Sequence, residues 1–104
     1  MGKYNDTWDT HELVVTLDLY RQSGTLPQTD ERVLEIADLL ERTPGSISLR
    51  LSNFANRDPE HVGKGMYAGG KECTLIWELY AYSGDFLRRR AARARRAIRA
   101  GELQ

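Results

Sequence analysis

The chain is 104 residues long, with 15 Lys and Arg balanced by 15 Asp and Glu, and 40% of it is apolar. That length supports one domain, residues 1–104, and excludes a large multidomain enzyme. Its single cysteine, Cys73, excludes an internal disulfide and a cysteine-based zinc site, and no apolar run reaches the roughly 18 residues of a membrane span, so a soluble, cytoplasmic protein is expected.

The polar stretch Met1 to Asp9 has no apolar signal region. Asp9 and Glu12 have the three-residue spacing of a helix capping box, in which each side chain accepts from the other's backbone amide. A first helix is therefore expected from there to about Gln22, with Leu13, Leu17 and Tyr20 on one stripe and Val14 widening it. Ser23-Gly24 and Pro27 end it. Thr29 or Asp30 can cap a second helix, which buries Val33, Ile36, Ala37 and Leu40, exposes Glu31, Glu35, Asp38 and Glu41, and ends near Arg42. Thr43-Pro44 is a strong start signal, because Thr caps well and Pro is preferred at the first helical position, where its missing N–H had no partner. The third helix then buries Ile47, Leu51, Phe54 and Ala55 and is closed by Asp58-Pro59.

Residues 59–70 hold four glycines and no hydrophobic period, so they read as a loop. The pair Gly63 and Gly65 has neither a preceding strand nor a following Gly-Lys-Ser/Thr, and a simple loop is preferred to a phosphate cradle. Leu75, Ile76, Trp77, Leu79 and Tyr80 predict a fourth helix, up to Tyr82. Ser83-Gly84-Asp85 breaks it, and Asp85 can cap a fifth. That last helix, Phe86 to Ala100, is mostly Arg and Ala, with Leu87, Ala91, Ala94 and Ile98 on a narrow apolar stripe and Gly101 as its stop. No β pattern or repeat is present. The expected class is all-α, a small five-helix domain with a helix-turn-helix-like core at residues 30–57 and an arginine-rich helix at 85–100.

The neutral balance hides a polarity. Residues 1–45 carry four bases against nine acids, a charge of −5, and residues 46–104 carry eleven bases against six acids, a charge of +5. Seven arginines lie between Arg88 and Arg99 with no acid among them. Such a run suits a polyanion, and the planar guanidinium fork can hold a phosphate through two hydrogen bonds.

Catalytic groups do not converge in this pattern. His11 and His61 are far apart, no nucleophile or metalloprotease motif occurs, and Asp58, Glu60 and His61 lack the spacing of a proper zinc site. His11 reads as structural. No catalytic residue, metal or cofactor is expected. Most aromatics fall on helical stripes and read as core. Tyr67, beside Lys64 and Lys71, is kept as a nucleic-acid contact.

The outer face of the third helix reads differently. Ser46, Arg50, Asn53 and Arg57 recur at i, i+4, i+7 and i+11, with Ser48, Leu49 and Asn56 adjoining and almost no acid. Arginine can read guanine, asparagine can read adenine, and serine can hold phosphate or base edges, as on a helix laid in the DNA major groove. A solvated face that happens to lack acids is an equal reading. Thr43 and Ser48 lie near the helix start, where backbone amides favour an anion, and Lys64, Lys71, Arg88, Arg89, Arg93 and Arg96 add backbone grip.

The stretch from Leu40 through Thr43-Pro44-Gly45-Ser46-Ile47-Ser48-Leu49-Arg50-Leu51-Ser52-Asn53-Phe54-Ala55-Asn56-Arg57-Asp58 to Pro59 resembles a motif in the amino-terminal region of HNH-type restriction endonucleases, including McrA-like, modification-dependent enzymes. Trp8 with Glu12 to Tyr20, and Gly69-Gly70-Lys71 with Ile76-Trp77-Glu78, resemble the flanking segments, so the likeness covers residues 8–82. It implies a helical DNA-binding module linked to restriction or phage defence. The His/Asn/His cluster and ββα segment of such nucleases have no counterpart in this sequence, so cleavage is not implied. The expected partner is double-stranded DNA. The rivals are a protein-interaction or anti-restriction adaptor holding an acidic protein, and RNA binding by the arginine helix.

Overall fold

The computed structural model describes residues 7–61 and 70–102. These form five helices and no strand: α1 Thr10–Ser23, α2 Glu31–Leu40, α3 Pro44–Arg57, α4 Gly70–Tyr80 and α5 Gly84–Arg99. The fold is all-α, as the sequence predicts. Lys64, Tyr67 and the Gly63 and Gly65 pair lie outside the described residues.

Local chemistry sets the helix ends. Asp9 accepts from the Glu12 amide at 2.9 Å and Glu12 accepts from the Asp9 amide at 3.1 Å, completing the capping box. Asp30, rather than Thr29, caps α2 by accepting from the Arg32 amide at 2.8 Å, and the Arg32 guanidinium returns to both of its oxygens. That pairing holds the Asp30 carboxyl below its ordinary value, first through the Arg32 side-chain bond. Thr43 accepts from the Ser46 amide at 3.2 Å, with Pro44 first in α3. At the far end of α2, Glu41 adopts the left-handed conformation, φ 56°, so that the Arg42 amide can reach the Ala37 carbonyl. Glycine does the same job at less strain after α5: Gly101 has φ 77°, and the Gly101 and Glu102 amides close back onto Ile98 and Ala97. Two ends differ from the prediction. The fourth helix stops at Tyr80, with Ala81 and Tyr82 in the turn, and Ser83 holds the cap position of α5 without a side-chain bond, leaving Asp85 inside its first turn.

The core is organised around α1, which packs against all four other helices. Every residue from Glu12 to Tyr20 is buried, so this helix is covered all round and not on one stripe. The remaining helices deliver their predicted stripes to it: Val33, Ile36, Ala37 and Leu40 from α2, Ile47, Leu51, Phe54 and Ala55 from α3, and Leu87, Ala91 and Ala94 from α5. Cys73, Ile76 and Trp77 come from α4. The arginine helix therefore shares this core.

Burying α1 on all sides also buries its polar residues, and each needs a partner. The Thr16 hydroxyl donates to the Glu12 carbonyl at 2.9 Å. Glu12 receives both forks of Arg42, at 2.7 and 2.9 Å, with the two side chains only 2% and 4% exposed. Tyr20 donates to Asp58 at 2.7 Å, tying α1 to the end of α3. Burial first, and then this bond to Asp58, push the Tyr20 hydroxyl above its usual pKa. No helix among the described residues is long and apolar enough to cross a membrane.

Candidate nucleic-acid interface

The predicted ridge of α3 is not open. Asn53 is 2% exposed. Arg50 lies over the Trp8 ring, 4.6 Å from its centroid, and donates to the Cys73 sulfur at 3.3 Å. Its Nε is buried with no hydrogen-bond partner among the described residues. Trp8 carries Arg42 as well, 4.5 Å from the ring. Arg57 is spent on α4, donating to the Thr74 hydroxyl and the Gly70 carbonyl, and on the Asn53 carbonyl. Ser46 donates to the Thr43 carbonyl, and Ser48 to the Leu26 carbonyl at 2.6 Å.

The solvent side of α3 runs through Leu49, Ser52 and Asn56, which are exposed or half-buried. That face is displaced by one residue, about 100° around the helix, from Ser46, Arg50, Asn53 and Arg57. The apolar stripe was read correctly, but α3 also meets α4 and carries Trp8 on its flank, so it buries a wider arc. The acid-free face is acid-free because its polar groups serve the interior. A major-groove helix needs several side chains free to reach base edges, and here Arg50, Asn53 and Arg57 are engaged.

Among the other predicted residues, Thr43 is exposed but occupied as a cap, and Lys71 is exposed on the first turn of α4. The α5 arginines behave otherwise. Arg88, Arg89, Arg93, Arg96 and Arg99 are exposed, and Arg90 and Arg95 half-buried. Arg89, Arg93 and Arg96 form the central row at i, i+4 and i+7, opposite the buried Leu87, Ala91 and Ala94. Arg88, Arg95 and Arg99 form a second row beside it. Arg90 meets His11 Nδ1 at 3.1 Å, which gives that histidine a structural neighbour. Among the described residues no carboxylate lies within ion-pair distance of the other six.

No family model, curated protein or solved structure matches this chain.

Two surfaces escaped the sequence reading. Leu75 and Leu79 on α4, each 55% exposed, Tyr82 in the turn and Phe86 on α5 are large apolar side chains left in solvent, and Phe86 stacks on Tyr80. Near the turn, Asp18, Arg21, Gln22, Ala81, Tyr82, Gly84, Leu87 and Arg88 line a groove of about 360 Å3. Asp18 stands between Leu17 and Leu19, and an acid inside an apolar run was the one signal for it. Its Oδ2 accepts from Gln22 at 2.8 Å, while Oδ1 is buried with no partner among the described residues. Leaving such an atom unsatisfied costs about 1–3 kcal/mol. Among the described residues, no group of three metal-ligating side chains converges.

Proposed function

We propose that this protein binds double-stranded DNA through the phosphate backbone, with the outer face of α5 as the contact surface. The observation that carries this reading is the set of six arginines on one helix, Arg88, Arg89, Arg93, Arg95, Arg96 and Arg99, that make no ion pair with a described residue. Held by a rigid helix about 24 Å long, they form a fixed positive strip. Each guanidinium that neutralises a phosphate releases condensed counterions, which supplies affinity that does not depend on sequence. Ala92 and Ala97 between them add no bulk that would hold a duplex away. Helix α1, against which α5 packs most extensively, supports the strip from beneath. A link to restriction or defence belongs to the proposal through the resemblance at residues 8–82 alone.

The test is fluorescence anisotropy with a labelled duplex at low salt. The parent should bind, and a variant with Arg89, Arg93 and Arg96 all changed to Gln should lose at least about tenfold in affinity, since each contact to a charged group contributes roughly 1 kcal/mol or more. Equal binding by parent and variant contradicts the assignment. An RNA duplex run in parallel separates the two nucleic acids.

A second reading has its own observation. Leu75, Leu79, Tyr82 and Phe86 are large apolar side chains left exposed, and Arg88 and Arg89 follow Phe86 on the same helix; exposed apolar side chains accompanied by positive charge suit an acidic protein partner. Leu79→Glu would abolish such an association and leave DNA binding nearly unchanged.

A further inference from the structure

We propose that the groove between the C-terminal half of α1 and the start of α5 is a nucleotide site whose floor reads guanine. It shares Arg88 with the α5 strip but stands on different residues. Three features define what fits there. The first is a pair of acceptors. Asp18 is 6% exposed, and its Oδ1 has no donor among the described residues. Gln22 uses its amide nitrogen on Asp18 Oδ2, so the remaining Gln22 group is a carbonyl. Guanine alone among the bases presents two adjacent N–H donors, N1–H and the 2-amino group, on its pairing edge. Adenine and cytosine offer one donor beside an acceptor, and uracil or thymine flanks its donor with two carbonyls. The last two arrangements set lone pairs against Asp18 or Gln22.

The second feature is a planar, apolar seat. Tyr82 is 68% exposed, yet its ring is fixed in an edge-on contact with Trp77, centroids 5.9 Å apart, and its hydroxyl accepts from the Trp77 indole nitrogen at 3.3 Å. Ala81 and Leu87 complete the apolar lining. An aromatic face held in place is a stacking platform for a base. The third is charge. Arg21 and Arg88 line the same groove. Arg21 is shared with Asp58 at 3.8 Å and lies over the Trp77 ring, so Arg88 is the guanidinium at the rim without an ion pair to a described residue, which favours a ligand with N–H donors at one end and a phosphate at the other. The volume, about 360 Å3, is in the range that holds a small ligand.

The shared chemistry is a guanine nucleotide, free or as an unpaired residue of a strand, and titration of the full chain distinguishes them. The Trp77 indole N–H is a built-in NMR reporter, because it bonds to a groove residue. GMP should shift that resonance and the Gln22 side-chain amide, with AMP, CMP and UMP at least about tenfold weaker. Gly84→Leu should abolish the response. A Cβ at Gly84 meets nothing within 4 Å, and its φ lies outside the left-handed range, so the variant fills space and leaves the fold intact. Asp18→Asn, which exchanges one acceptor for a donor, should remove the preference for guanine. If that variant does not fold, Gly84→Leu decides. Short single strands of dG and dT, tested on the Arg89, Arg93 and Arg96 to Gln variant, assign the source. A dG preference there identifies a strand, and a response to GMP without one identifies the free nucleotide. Four nucleotides binding alike, none binding, or Gly84→Leu binding like the parent overturns the proposal. Duplex affinity carried by Arg89, Arg93 and Arg96 is untouched by any of these results, so the two readings fail separately.

Discussion

Arginine does two unrelated jobs in this chain. Arg42 and Arg50 stack on Trp8 beside α1, α2 and α3, with Arg42 also forked onto the buried Glu12 carboxylate, and Arg57 ties α3 to α4 by donating to the Thr74 hydroxyl and to helix carbonyls. On α5 the same side chain stands outward in two rows, with no carboxylate among the described residues within ion-pair distance. Identical chemistry thus serves cohesion in one place and recognition in the other, and burial decides which. The sequence suggests the opposite ranking for α3, because spacing alone cannot separate a polar face that meets water from one that meets a neighbouring helix.

The comparison can be broken by mutation. Arg42→Ala should be the most damaging, lowering stability by about 3–5 kcal/mol in urea denaturation, because it strands Glu12 as an unpaired buried charge. Arg50→Ala should cost about 1–2 kcal/mol through loss of its packing on Trp8, with duplex affinity unchanged. If instead Arg50→Ala weakens DNA binding and not stability, the inward assignment is wrong. Thr43→Ala should cost about 1 kcal/mol by removing the α3 cap. On α5, Arg89→Gln or Arg93→Gln should change stability by no more than about 0.5 kcal/mol.

A pH titration sharpens the same contrast at the α1 and α3 junction. The folded state raises the Tyr20 pKa above the ordinary tyrosine value of 10.0. The unfolded chain therefore releases this proton first, and stability should fall as pH rises past 10, continuing until the folded hydroxyl also ionises. Tyr20→Phe should remove that part of the alkaline loss. A parent and variant with parallel alkaline profiles would contradict the buried bond to Asp58.

Much of the fold is legible in the sequence because it is set by local chemistry. The capping box of Asp9 and Glu12, the Thr43-Pro44 start and the Gly101 stop each act within one helical turn, and all three are found where their residues place them. The inward stripes of α2, α3 and α5 follow from helical period alone. What escaped is set by partners distant in the chain. Glu12 looks like a solvated first-turn acid until Arg42, thirty residues later, is folded onto it. Asn53 looks accessible until α4 and Trp8 fill in around α3. Asp18 gave a faint signal, an acid between two leucines, but its groove exists only once α5 lies against α1.

The salt dependence of duplex binding tests the central claim most directly. With Arg89, Arg93 and Arg96 as phosphate contacts, changing all three to Gln should reduce the slope of log affinity against log salt by roughly 2.7, about 0.9 for each lost contact, whereas Arg50→Ala should leave it unchanged. A slope equal in the parent and the triple variant, or one flattened by Arg50→Ala instead, would contradict the assignment of DNA binding to α5.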